Sequence, residues 1–349
     1  MKNAKSFILS CAVAILFISG CSQTEEPPRG EFASGVIIVN EGNFTESNGS
    51  IGFFDESNLE VTQDIFNKAN RVSPGGIIQS IYFYNDLAFI IDQVGNRIEV
   101  VEAETFKSIA VIEVGLSTPR YMVVAGGKGY VTNWGNFDDN YDLPDSYVAV
   151  IDLENFIVVK SIETGNGSEG LVVYGEQVYV ANSYTNNIEA IDPATDAITG
   201  SISVATGPIA FAEDKNGKVW VLSSSYFSGS ALTQLDLSTE KVLKSFPVSA
   251  SAKSLNTNGT GDHLYYLSTP FGTDAEVRML FIDAIEDAGE ALIIAPNLYA
   301  LGVDPTSGLI YLGNHNGFQG NGTVLRYEGS TLKDNFPAGV APNGFVFRK

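Results

Sequence analysis

The sequence predicts an all-β fold, a seven-bladed β-propeller closed by its own C-terminal strand. Three observations lead there. The chain repeats itself at intervals of 40 to 50 residues, the range of propellers and solenoids. No stretch sustains the 3.6-residue apolar period of a helix, which sets aside a helical solenoid. The first repeat also lacks one strand, and the last segment of the chain supplies it.

From the N-terminus, Lys2 and Lys5 precede an uncharged, mostly apolar run from Ser6 to Ser19. A positive start, a short apolar stretch and small residues make a secretory signal. The run is too short for a spanning helix. It ends in Ile18-Ser19-Gly20-Cys21, which resembles the bacterial lipobox. That resemblance implies cleavage after residue 20 and acylation of Cys21, giving the several chains that stable anchoring needs. Residues 1–20 therefore read as a lipoprotein signal and residues 21–34 as a lipidated, flexible tether. Within it Ser22-Gln23-Thr24-Glu25-Glu26 looks like the acidic export signal of Bacteroidetes surface lipoproteins. The expected place is the outer membrane, facing the exterior, with membrane contact through the lipid only. Cys11 leaves with the signal and Cys21 carries lipid, so the remaining fold has no disulfide and no Cys nucleophile.

Residues 35–349 hold the repeats. The clearest unit has strands over 170–174, 178–182, 188–192 and 198–204, rich in Val, Ile and Tyr and separated by Gly, Asn and Asp-Pro turns. An acidic residue closing the third strand marks each unit: Asp55, Glu102, Asp152, Asp192, Asp236, Asp283 and Glu328. Seven marks at near-even spacing give seven blades. The first unit opens at Val36 with what matches a second strand, and Pro342 to Phe347 matches the missing first one. Pairing the two closes the ring and removes an exposed edge.

Tyr130-Val131-Thr132-Asn133 spells the signature of YVTN/YncE-like propeller repeats, and Tyr179 to Asn182 with Ile191 to Thr195 resembles it. The opening Val39-Asn40-Glu41-Gly42-Asn43-Phe44 and Gly49 to Asp55 look like a Bacteroidetes lipoprotein subfamily. The resemblance implies a surface propeller that captures vitamin B12 and hands it to a TonB-dependent outer-membrane transporter.

Loops alternate between the two faces of a propeller. Turns after first and third strands are tight and polar. Loops after second and fourth strands are longer and pair aromatics with amides. They supply the candidate ligand contacts Asn40, Asn43, Phe44, Arg120, Tyr121, Asn133, Trp134, Asn182, Tyr184, Tyr226, Phe227, Phe271, Asn314, His315 and Phe318. Flat apolar bodies beside amide hydrogen-bonders suit a bulky, partly planar ligand of the corrinoid class. Each group also has a structural use: the asparagines as turn caps, the aromatics as blade packing, Arg120 as the partner of a nearby carboxylate. The sequence leaves both uses open.

Asp138, Asn140 and Asp142, with Asp145 nearby, resemble the start of a calcium loop but lack its sixth-position Gly and twelfth-position Glu. A solvated acidic loop is the expectation, with a structural calcium near Asp138 and Asp142 as the alternative. No other cofactor is expected. With 41 acidic and 20 basic residues, the chain repels nucleic acid. Two His, no Cys partner and no Gly-x-Ser-x-Gly elbow give no nucleophilic motif. The expectation is a binding protein rather than an enzyme. An adhesion propeller, or a calcium-dependent lactonase or lyase with carboxylates around His315 or Asp92, stands as the alternative.

Overall fold

The computed structural model describes residues 30–225, 229–270 and 272–349. It is a seven-bladed propeller, each blade a four-stranded antiparallel sheet running outward from the channel. Blade 1 pairs Pro342–Arg348, Gly35–Asn40, Ser50–Asp55 and Glu60–Thr62. Blade 2 is Ile78–Tyr84, Leu87–Asp92, Arg97–Glu102 and Ser108–Ile112. Blade 3 is Pro119–Ala125, Lys128–Asn133, Tyr147–Asp152 and Ile157–Glu163. Blade 4 is Ser168–Tyr174, Gln177–Asn182, Asn187–Asp192 and Ala197–Ser203. Blade 5 is Pro208–Glu213, Val219–Ser223, Ala231–Asp236 and Lys241–Pro247. Blade 6 is Lys253–Thr257, His263–Ser268, Ala275–Phe281 and Glu290–Ala295. Blade 7 is Leu298–Val303, Ile310–Asn314, Asn321–Glu328 and Thr331–Val340.

The closure read from the sequence is present. The C-terminal strand pairs antiparallel with Gly35–Asn40, setting Ile37 opposite Val346 and Val36 opposite Phe347. Its last residues bind outward too. Arg348 donates to the carbonyls of Phe32 and Ala103 and lies over the Phe83 ring, and Lys349 pairs with Glu56 and Asp304.

The core is split into seven clusters of buried side chains, one between each neighbouring pair of blades. Tyr130, Val148 and Val150 of blade 3 meet Val178, Val180 and Ile191 of blade 4, for example. This explains the sequence pattern: second and third strands are apolar on both faces because each blade is covered on both sides.

The acidic marks have a local reason. Six of the seven end a third strand, and five of those, all but Glu328, bond the turn that follows. Asp152 accepts from the Glu154 amide at 2.8 Å, Asp192 from the Ala194 amide at 2.8 Å and Asp55 from the Ser57 amide at 2.8 Å. These are Asx turns, in which a short carboxylate replaces a backbone acceptor. Asp283 departs from the pattern: the third strand of blade 6 stops at Phe281, two residues earlier.

Two features differ from the sequence expectation. A short helix, Ile65–Asn70, joins blades 1 and 2, burying Ile65 and Phe66 and capped by the Asp64 carboxylate on the Asn67 amide. Residues 30–34, expected in the tether, pack onto the body. The Gly30 amide donates to Glu104 at 2.7 Å, and buried Phe32 meets Phe53 and Phe106 edge-on. The signal, Cys21 and the tether before Gly30 lie outside the described residues. Among the described residues no helix is long and apolar enough to cross a membrane.

Candidate functional site

A cavity of about 780 Å³ occupies the channel mouth on the loop-rich face. First strands begin at this face, so their opening residues point polar groups into it, while loops after second strands form its rim. Blade 2 supplies Gln79 and Gln93, blade 3 Arg120, Tyr121 and Trp134, and blade 4 Glu169. Lys253 comes from blade 6, Tyr299 from blade 7, and Glu41 and Phe44 from the first loop of blade 1.

A charge network forms one wall. Glu169 holds the Arg120 guanidinium with both oxygens, at 3.0 Å from Nε and 2.8 Å from Nη2. Arg120 Nη1 donates to Gln79 at 2.6 Å and also to Gln93. The indole of Trp134 covers the same guanidinium, 3.9 Å from ring centre to Cζ, a cation–π contact. Burial pulls the Arg120 pKa down, but the charge and hydrogen bonds of Glu169, with Tyr121 and Glu41 adding to them, outweigh it and raise it above its ordinary value. Burial, with the Glu169 charge, pushes the neighbouring Tyr121 hydroxyl up to about 12, and Gln79 donates to that hydroxyl at 2.9 Å.

The opposite wall carries a second set. The Tyr299 hydroxyl donates to Glu41 at 2.5 Å. Burial raises the Glu41 carboxyl, against the pull of Tyr299, Arg120 and Lys253, and raises Tyr299 with the Glu41 charge adding to it. Lys253 Nζ lies 3.6 Å from the centre of the Tyr299 ring, and burial pulls its ammonium down to about 8 despite Glu41.

Two aromatic clusters flank the mouth. Trp134, Phe137 and Tyr184 meet edge to face with centroids 6.1 to 6.5 Å apart. Tyr299, His315 and Phe318 form the other: His315 stacks on Phe318 at 3.8 Å, and Phe318 meets Tyr299 at 5.0 Å. Burial and the Lys253 charge lower the His315 pKa, and its Nδ1 accepts the Gly317 amide. Phe44 on the rim is 67% exposed and Tyr184 45% exposed.

Of the residues anticipated from sequence, Phe44, Arg120, Tyr121 and Trp134 line the cavity, and Tyr184, His315 and Phe318 belong to the flanking clusters. Four of the five asparagines hold backbone. Asn40 accepts the Gly339 amide, Asn133 the Ser117 amide and Asn314 the Asn316 amide. Asn43 closes its own loop through the Glu46 amide and reaches the Phe318 carbonyl. Asn182 is fully buried behind Gly165, and neither of its amide atoms has a partner among the described residues. Tyr226, Phe227 and Phe271 lie outside the described residues. Gln79, Lys253, Glu41, Tyr299 and Glu169 are the site residues that pattern reading did not single out. Asp92, read as a channel carboxylate, is instead buried in its blade, accepting the amides of Gly76, Ile77 and Gly95.

The loop over 138–145 is internally bonded: Asp138 accepts the amides of Asn140 and Asp142, and Asp142 accepts from Asn166. Among the described residues no three His, Cys, Asp or Glu groups converge as a metal site.

Comparison with known proteins places the chain. A family model described as a domain of unknown function, DUF5074, matches residues 34–326. The chain belongs to the DUF5074 family. No curated protein sequence matches it. Solved propellers resemble it closely in shape. A quinonprotein alcohol dehydrogenase-like protein from Bacteroides thetaiotaomicron superposes with a TM-score of 0.69 at 15% identity, over 91% of this chain and 79% of the other. The periplasmic gluconolactonase of Pseudomonas aeruginosa gives 0.69 at 11% identity, over 90% and 99%. A putative 6-phosphogluconolactonase from Bacteroides uniformis gives 0.67 at 8% identity, over 90% and 99%. At these identities the likeness shows the fold alone. It does correct one expectation. The lack of a nucleophilic motif led to a non-enzymatic reading, yet propellers described as lactonases share this architecture, so that lack does not set catalysis aside.

Proposed function

We propose that this DUF5074 protein captures a bulky, partly planar, polar nutrient of the corrinoid class in its channel mouth. It is anchored at the outer membrane through Cys21, faces the exterior, and passes its ligand to a TonB-dependent transporter. The observation that carries the reading is the cavity itself. Its volume of about 780 Å³ falls within the range of small-molecule sites, and it pairs aromatic flanks with a fixed polar wall. Trp134 lines the cavity and lays its indole over the Arg120 guanidinium, a rigid aromatic surface beside the polar wall. The YVTN-like repeat and the opening motif add the resemblance to B12-capturing propellers. Equilibrium dialysis of cyanocobalamin against the purified chain tests the ligand: retention at submicromolar concentration supports it, and free passage rejects it. Metabolic labelling with palmitate tests the anchor, with label expected on the wild type and absent from Cys21→Ala.

A hydrolytic reading has one observation in its favour. Glu41, Tyr299 and Lys253 share one wall with their titrations displaced toward the neutral forms, the mark of many catalytic sites. A raised carboxyl is suited to general-base work on a lactone. Acid release from gluconolactone that disappears in Glu41→Gln would support it, and no release above the spontaneous rate would reject it.

A further inference from the structure

We propose that Lys253 is the anion anchor of the cavity, holding a carboxylate, sulfonate or phosphate group of a ligand whose flat body lies against the aromatic flanks. The proposal deepens the capture reading and rests on it. Two cations face the cavity, and their donors are in opposite states. Arg120 is spent: Glu169 takes Nε and Nη2, Gln79 and Gln93 take Nη1, and Trp134 covers the face. The Lys253 ammonium has no side-chain hydrogen bond or ion pair among the described residues, and the Tyr299 ring lies against it at 3.6 Å. A half-buried ammonium that lines the cavity without an acceptor is poorly compensated, and a ligand anion offsets that cost. The one carboxylate on that wall, Glu41, already takes the Tyr299 hydroxyl, and burial favours its neutral form. The other cavity carboxylate, Glu169, is committed to Arg120. An incoming anion therefore meets one open cation and no unpaired carboxylate.

A matched pair of probes tests this. 8-Anilinonaphthalene-1-sulfonate and N-phenyl-1-naphthylamine share a ring system and differ by the sulfonate. Each is titrated by fluorescence into the purified full-length chain and into Lys253→Gln and Lys253→Arg, with Trp134→Ala marking the cavity. The proposal expects Lys253→Gln to weaken the sulfonate by about tenfold or more and the neutral probe by about twofold or less. It expects Lys253→Arg to keep the preference and Trp134→Ala to weaken both probes. Equal losses for the two probes in Lys253→Gln would make Lys253 a packing partner of Tyr299 and overturn the anchor, as would no sulfonate binding by the wild type. Cyanocobalamin titrated into the wild type separates the two claims. Charge discrimination without corrinoid binding removes the corrinoid reading alone, and corrinoid binding without charge discrimination removes the anchor alone.

Discussion

Arg120 and Glu169 show how a buried ion pair shapes a site. Their side chains are 11% and 8% exposed, so each depends on the other for charge compensation. Glu169→Ala leaves the guanidinium uncompensated and is expected to cost about 3 to 5 kcal/mol, read as a fall in the denaturant midpoint at unchanged slope. Lys253 is expected to behave in the opposite way. Its folded pKa of about 8 lies below the ordinary 10.5, so the unfolded chain binds the extra proton between those values and stability rises with pH there. Lys253→Met should therefore stabilise the protein at pH 7 by about 2 to 3 kcal/mol. The gain should fade between pH 8 and 10.5. Of the groups around Lys253, His315 is shifted down and Tyr299 up, each away from this window. A melting difference that does not change with pH would refute the assignment. At this scale the sequence was half legible. Arg120 and Trp134 stand out as rare residues in long loops. Lys253 looks like any polar strand residue, and only the ring of first strands turns it inward. The asparagines were ambiguous because one amide serves a turn or a ligand equally well.

The blade is the element that sequence displays best, because its turns are written in local chemistry. Asp at the end of a third strand predicts an Asx turn, and the hydrogen bonds of Asp55, Asp152 and Asp192 supply it. Asp92 carries a heavier load between blades 1 and 2, with three amides and a contact of 3.4 Å to Arg97 Nε. Asp92→Ala is expected to cost about 3 kcal/mol, since hydrogen bonds to a charged acceptor are worth more than neutral ones. Faster amide exchange should concentrate at 75–77 and 95, and uniform exchange would contradict the role. The helix Ile65–Asn70 was not legible, because six residues are too few to show a period, and its two apolar residues read equally well as loop packing.

The whole molecule depends on a joint made by residues at opposite ends of the chain. Phe345 and Phe347 pack at 5.8 and 5.1 Å from Tyr311 of blade 7, while their strand completes blade 1. Deleting 344–349 removes that strand and opens two blade interfaces, so the melting temperature should fall by more than about 10 °C. Truncation without a shift would contradict the closure. This joint was readable because a missing first strand at one end and a spare strand at the other leave one pairing that removes both edges. The cavity was readable only as a face, since its walls are assembled from all seven blades, whose residues lie far apart in sequence.

Capture in the channel mouth is the central claim, and isothermal titration of cyanocobalamin into the purified chain, with Trp134→Ala beside it, tests it most directly. The account predicts saturable binding by the wild type that weakens by about tenfold or more when the indole covering Arg120 is removed. No heat from the wild type, or an affinity unmoved by Trp134→Ala, would contradict it.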